Sequence, residues 1–126
     1  MSQELLLKLV QVVNTETYHP GDTIVKQGDF ADRFFVIASG KIDVRQFTVD
    51  KGDILLAKRE TGEFVGEMAL LSDLPRNATL IATTFCVLIS LSKAVFSDLL
   101  NRDSDFRSNI ETVAQKRRIL EKHLNT

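Results

Sequence analysis

The sequence predicts an α+β fold with segregated layers: a block of short antiparallel strands between an N-terminal helix and a helical C-terminus. Three observations predict it. Apolar residues repeat at helical spacing near both ends of the chain. Between Thr15 and Leu91 the texture turns β-branched and aromatic. Turn signals punctuate that stretch about every ten residues, the rhythm of strands in a barrel or sandwich. With 126 residues, 44% hydrophobic and 26% charged, the chain is one domain of ordinary soluble composition.

At the N-terminus, Leu5, Leu6, Leu9, Val12 and Val13 follow helical spacing behind Ser2 as N-cap. They predict an amphipathic helix over residues 3–13, within an N-terminal segment 1–14. Strands fill residues 15–91, separated by Pro20-Gly21-Asp22, Gly28-Asp29, Ser39-Gly40, Asp50-Lys51-Gly52-Asp53 and Thr61-Gly62. Phe34-Phe35-Val36-Ile37 is apolar on both faces, the pattern of a central strand. Ile42 and Val44 alternate with Asp43 and Arg45, the pattern of a half-buried one. In the last strand Val87, Ile89 and Leu91 share a face. Residues 92–126 are helical. Ser92 caps a helix from Lys93 to Leu100. Phe106, Ile110, Val113, Arg117, Leu120 and Leu124 then form an a/d stripe, interrupted by one cation.

The net charge of −1 argues against a polyanion binder, so no direct nucleic-acid partner is expected. A single cysteine, Cys86, allows no internal disulfide and fits a reducing compartment. Leu5-Leu6-Leu7 is flanked by Glu4 and Lys8, too short and too charged for a signal peptide or a membrane span. The expected location is the cytoplasm, or the cytoplasmic face of a membrane protein. His19 and His123 lie far apart in sequence and Cys86 falls in a core strand. A cupin-type metal enzyme or a haem sensor would need clustered ligands, so neither a metal nor a cofactor is expected. No catalytic signature is present, and the chain is read as a non-enzyme.

One stretch carries chemistry: GEMALLSDLPRNAT, residues 66–79. Gly66 lets the backbone come close to a ligand, because it has no Cβ. If Glu67 to Leu71 makes one helical turn, its first N–H groups form an anion site. The planar fork of Arg76 suits two phosphate oxygens. The Glu67 carboxylate only accepts hydrogen bonds and wants a hydroxyl, such as a sugar 2′-OH. Together these groups describe a ribose and a phosphate in one pocket. The same spacing equally suits a surface Glu67–Arg76 salt bridge with Pro75 as a turn residue. Spacing alone leaves both readings open.

Gly66-Glu67-Met68-Ala69-Leu70-Leu71 followed by Pro75-Arg76-Asn77-Ala78-Thr79 resembles the phosphate-binding cassette of cyclic nucleotide-binding domains. Upstream, Gly21-Asp22-Thr23-Ile24, Gly28-Asp29, Asp32-Arg33-Phe34-Phe35-Val36-Ile37 and Gly40 agree with it, so the resemblance covers nearly the whole chain. It implies an antiparallel β-roll (jelly-roll-like, a double-stranded β-helix) flanked by an N-terminal helix and two C-terminal helices. The ligand it implies is cAMP or cGMP. Glu67 would accept from the ribose 2′-OH and Arg76 would pair with the cyclic phosphate. Amides around Gly66, Met68, Ala69, Asn77 and Ala78 would complete the cradle. The position of Val65 is more often aromatic in the family, a packing change. Family members that favour cGMP tend to carry a hydroxyl residue at the position of Asn77, so the expectation leans to cAMP. The resemblance also implies that the last helix closes over the base as a lid. Arg117 would contact the base, with Arg118 as the fallback and Val113 and Leu120 bounding it, and a hinge would lie after Leu91. The effector would be a channel, transporter or kinase attached in a larger protein, of which this chain is expected to be a regulatory fragment. A homo-oligomer could form through that effector.

Two rivals share the fold. A regulator of the catabolite-activator type would carry a helix-turn-helix after the long helix, and none follows before Thr126. A domain that answers a protein partner instead of a nucleotide has no need of both Glu67 and Arg76.

Overall fold

The structure, a computed structural model, describes residues 13–124, with side chains described to residue 120. The helix expected over residues 3–13 falls outside that range except for Val13, and so does the side chain of Leu124. Among the described residues eight strands form two antiparallel four-stranded sheets. One runs β1 (Asn14–Tyr18), β8 (Cys86–Ser92), β3 (Arg33–Ser39), β6 (Phe64–Val65). The other runs β2 (Thr23–Val25), β7 (Thr79–Ala82), β4 (Lys41–Thr48), β5 (Gly52–Glu60). A short helix α1 (Glu67–Ser72) sits between β6 and β7, and α2 (Lys93–Arg102) and α3 (Ser104–Leu124) follow the last strand. This is the β-roll with C-terminal flanking helices that the resemblance implies.

The apolar pattern of β3 explains why two cores meet on one strand. Phe35 and Ile37 pack inside the roll with Ile42, Leu80, Cys86 and Leu88. Phe34, on the opposite face, packs against the helices, with its ring 4.8 Å from Phe96 and 6.3 Å from Phe106. β3 lies between β8 and β6, a central strand as its two apolar faces require. In β8 the alternation holds, but Cys86 and Leu88 supply the roll core. On the face of Val87, Ile89 and Leu91 only Leu91 is fully buried, among the helices. The turn from β3 to β4 requires Gly40: its φ is +118°, and a Cβ there would lie 2.7 Å from the Phe85 carbonyl oxygen.

The C-terminal stripe differs from expectation in one respect. Ile110, Ala114 and Arg117 form the buried face of α3, whereas Leu120 is 60% exposed. Ala114 takes the buried place between Ile110 and Arg117, and it borders a recess together with Leu71 of α1. The junction after Leu91, where a hinge is expected, joins β8 directly to α2: Ser92 caps α2, accepting from the Val95 N–H, and the Lys93 N–H donates to the Asp32 carbonyl. Between α2 and α3 the backbone is extended at Asp103 (φ −122°, ψ 107°), whose carboxylate accepts from the Phe106 N–H.

β1 and β3 are clamped across β8 by a two-pronged ion pair: Arg33 Nε and Nη2 donate to Glu16 Oε2 and Oε1 at 2.8 and 2.9 Å. The hydrogen bond from Arg33 holds the Glu16 pKa at about 2, below its ordinary 4.5. The folded value is depressed, so the contribution to stability is full above the unfolded value and is lost as pH falls from about 4.5 toward 2. Chemical denaturation of Glu16→Gln and wild type across that window should show a shallower acid loss in the variant, and parallel curves would remove the assignment. The pair is partly solvated, so the effect is modest.

Candidate functional site

The stretch from Gly66 to Ala78 folds as a helical turn followed by a strapped loop. Gly66 enters α1 at φ 86°, ψ 6°, and Asp73 leaves it at φ 54°, ψ 36°, both left-handed. That tight entry and exit turns Glu67, Ala69 and Leu70 inward. The loop is then tied to the β2–β3 connection. The Arg76 N–H donates to the Asp29 carbonyl at 2.8 Å and the Gly28 N–H to the Arg76 carbonyl at 2.7 Å. Gln46 Nε2, from β4, donates to the Asn77 carbonyl at 2.9 Å.

Arg76 is 4% exposed. Its Nη2 donates to the Arg33 carbonyl at 2.7 Å and its Nη1 to the Gly66 carbonyl at 3.3 Å. The Asp32 carboxylate stands 3.7 Å away. Its Nε is buried with no hydrogen-bond partner, one of two such side-chain atoms among the described residues. Burial pushes the guanidinium pKa below its ordinary value, with Asp32 pulling the other way. It remains a cation, and one that is under-compensated. A Cβ on Gly66 would lie 2.7 Å from Arg76 Nη1, so the missing side chain is what admits the guanidinium.

Glu67 is 2% exposed and is held by Arg117, not by Arg76. Arg117 Nη1 donates to Glu67 Oε1 at 2.7 Å and to the Phe64 carbonyl at 2.9 Å. The Arg117 guanidinium also lies over the Phe64 ring, 4.7 Å from its centroid, with Glu63 at 3.8 Å. The alternative of a surface Glu67–Arg76 bridge is therefore ruled out: both side chains are buried and the carboxylate is held by α3.

All eight residues singled out in the sequence border one cleft: Gly66, Glu67, Met68, Ala69, Arg76, Asn77, Ala78 and Arg117. Val113, Leu120 and Arg118 are not brought to it. Leu120 and Arg118 are exposed, and Arg118 borders the separate recess by Leu71. The expected aliphatic bounds come instead from strands, as Val25, Val44, Val65 and Leu80. Sequence reasoning passed over Arg59, which reaches the same cleft from β5, along with Phe64 and Gln46. Arg59 stands in Lys58-Arg59-Glu60, which reads as a solvated charge run, and nothing local marks it as facing inward. The free volume of the cleft is about 40 Å³. Ligand pockets start at roughly 300 Å³, so a nucleotide-sized guest requires neighbouring groups to move.

The family model described as "Cyclic nucleotide-binding domain" matches residues 15–103. The chain is 36% identical over 116 residues to a cAMP-dependent protein kinase regulatory subunit of Debaryomyces hansenii, spanning 92% of this chain and 25% of that protein. Among solved structures, the regulatory domain of Toxoplasma gondii PKA co-crystallised with cAMP aligns at a TM-score of 0.77. Its identity is 26%, over 89% of this chain and 43% of that one. The catabolite activator protein of Thermus thermophilus aligns at 0.79 with 25% identity, over 99% of this chain and 58% of that one. The chain thus spans about a quarter of the length of the curated relative it matches.

Proposed function

Because the chain belongs to the cyclic nucleotide-binding domain family, we propose that its cleft takes a 3′,5′-cyclic purine nucleotide, with cAMP as the ligand, and reports its arrival through α3. The observation that carries this reading is the buried, partnerless Nε of Arg76 at the floor of the cleft. A buried cation with a spare donor, and only an exposed carboxylate 3.7 Å away, calls for a further anion, and a cyclic phosphate supplies two free oxygens for a guanidinium fork. Glu67 stands on the same wall and accepts a ribose hydroxyl. The matched kinase regulatory subunit and the cAMP co-crystal support cAMP as the ligand.

The relay rests on Arg117. It comes from α3 and is held by the carboxylate that the ribose needs. A nucleotide entering a cleft of such small free volume displaces the guanidinium or re-aims it toward the base, and α3 turns about the extended residue Asp103. The ligand shifts that equilibrium only by its differential affinity for the two positions of α3. The module is a sensor, not a catalyst, and its effector is a kinase or another protein attached in the larger chain. The cytoplasm suits its lone reduced thiol.

The ribose assignment has its own test. A hydrogen bond to a charged acceptor contributes about 1.5–3 kcal/mol, so 2′-deoxy-cAMP should bind about 10- to 150-fold more weakly than cAMP. Calorimetric titration decides it, and equal affinities would contradict the role of Glu67.

A further inference from the structure

The limb of the cassette that follows Arg76 is fastened from outside itself. Pairing of β4 with β7 ends at Arg45 and Thr79. One residue beyond that end the Gln46 side chain takes over, donating from Nε2 to the Asn77 carbonyl at 2.9 Å. Its neighbour Phe47 is gripped on both backbone groups by Gln27. The Phe47 N–H donates to Gln27 Oε1 at 2.7 Å, and Gln27 Nε2 donates to the Phe47 carbonyl at 2.9 Å. Next to Gln27, Gly28 and Asp29 hold the carbonyl and the N–H of Arg76. These bonds close a ring through residues 27–29, 46–47 and 76–77, and Gln46 is the member that reaches the cassette with a side chain.

A carboxamide that faces a carbonyl must present its nitrogen. The oxygen of Gln46 is thereby turned to the buried side, where it has no hydrogen-bond partner. A buried acceptor left unpaired costs at least as much free energy as an ordinary hydrogen bond contributes. Asn77 is exposed, so water serves its carbonyl when the donor is gone. Gln46 therefore adds little to the stability of the fold.

We propose that Gln46 is a positioning residue for the phosphate: it fixes the peptide unit between Asn77 and Ala78, both of which border the cleft. That unit is trans and planar, so holding its carbonyl on β4 sets the direction of the Ala78 N–H at the same time. Water satisfies a carbonyl without aiming it, whereas a carboxamide mounted on a strand aims it. The limb is ordered before the ligand arrives, and binding does not have to supply that ordering. The inference rests on the cyclic-nucleotide reading above and adds to it a residue that touches no ligand.

The test is a set of cAMP and cGMP titrations on wild type, Gln46→Met and Gln46→Asn, with thermal melts of the ligand-free proteins. Met has similar length and no donor; Asn keeps the carboxamide but is one methylene too short to reach. Loss of one aimed hydrogen bond corresponds to about 2- to 12-fold. Both variants should weaken cAMP and cGMP by that factor and to the same extent, because the two nucleotides carry the same cyclic phosphate. Gln46→Met should melt no lower than wild type, and the Ala78 amide resonance should move in the ligand-free variant. Unchanged affinities, weakening confined to one nucleotide, or a Gln46→Met chain that melts lower or fails to fold overturns the role of Gln46 while the cyclic-nucleotide reading stands. A wild-type chain that binds neither nucleotide overturns both.

Discussion

Replacing Arg76 with alanine is expected to weaken cAMP binding by a hundred- to several-thousand-fold, a loss of roughly 3–5 kcal/mol. The size follows from desolvation. The guanidinium is 4% exposed, so the phosphate it meets is also withdrawn from water, and truncation leaves that phosphate without a counter-charge. The same substitution should affect the fold differently. Without ligand, Arg76 is a buried cation with the Asp32 carboxylate 3.7 Å away and an Nε that has no hydrogen-bond partner. Removing it also removes a desolvation penalty, at the cost of two hydrogen bonds to backbone carbonyls. The ligand-free melting temperature should therefore move far less than the affinity. Arg76→Lys keeps a charge but not the fork and should recover only part of the binding. Calorimetry and thermal melts on the three proteins separate the two effects. Unchanged affinity in Arg76→Ala would remove the phosphate assignment.

Replacing Arg117 with alanine acts in the opposite sense, on the fold first. The substitution strands the Glu67 carboxylate, 2% exposed, without the cation 2.7 Å from it, and uncovers the Phe64 ring. Breaking one side of such a pair costs about 3–5 kcal/mol, which for a chain of this length lowers the melting temperature by about 10–20 °C. The double variant Glu67→Gln, Arg117→Met should lose less than the sum of the single variants, because the second change removes the charge that the first one stranded. Additive losses would show that Arg117 stabilises the fold through Phe64 and general packing instead of through Glu67.

What the residues revealed in advance was local. Gly66, Pro75 and Arg76 lie within one short stretch whose turn chemistry is decided by its own backbone, so its helical turn and its place on a cleft were legible. The two apolar faces of β3 announced a central strand for the same reason: alternation is a property of neighbours. Long-range pairings were less visible. Arg117 stood out as a cation on an apolar stripe, but its partner lies fifty residues away, and no periodicity names it. The inward face of β8 was also ambiguous. Both its faces touch apolar layers, one the roll and one the helices, so alternation fixes the parity of the strand without saying which parity is the core. Arg59 was hidden by a third effect. A charged residue on a strand is read as solvated, and only the closure of the roll brings β5 across from the cassette.

The central claim is that one buried guanidinium and one buried carboxylate make a nucleotide cleft, and it is tested most directly by titrating cAMP into the wild-type chain beside 5′-AMP. Saturable one-to-one binding of cAMP is expected. Weaker binding is expected of 5′-AMP, whose open, more highly charged phosphate does not suit a cradle with a single guanidinium. No heat of binding and no thermal shift with cAMP or cGMP would contradict it.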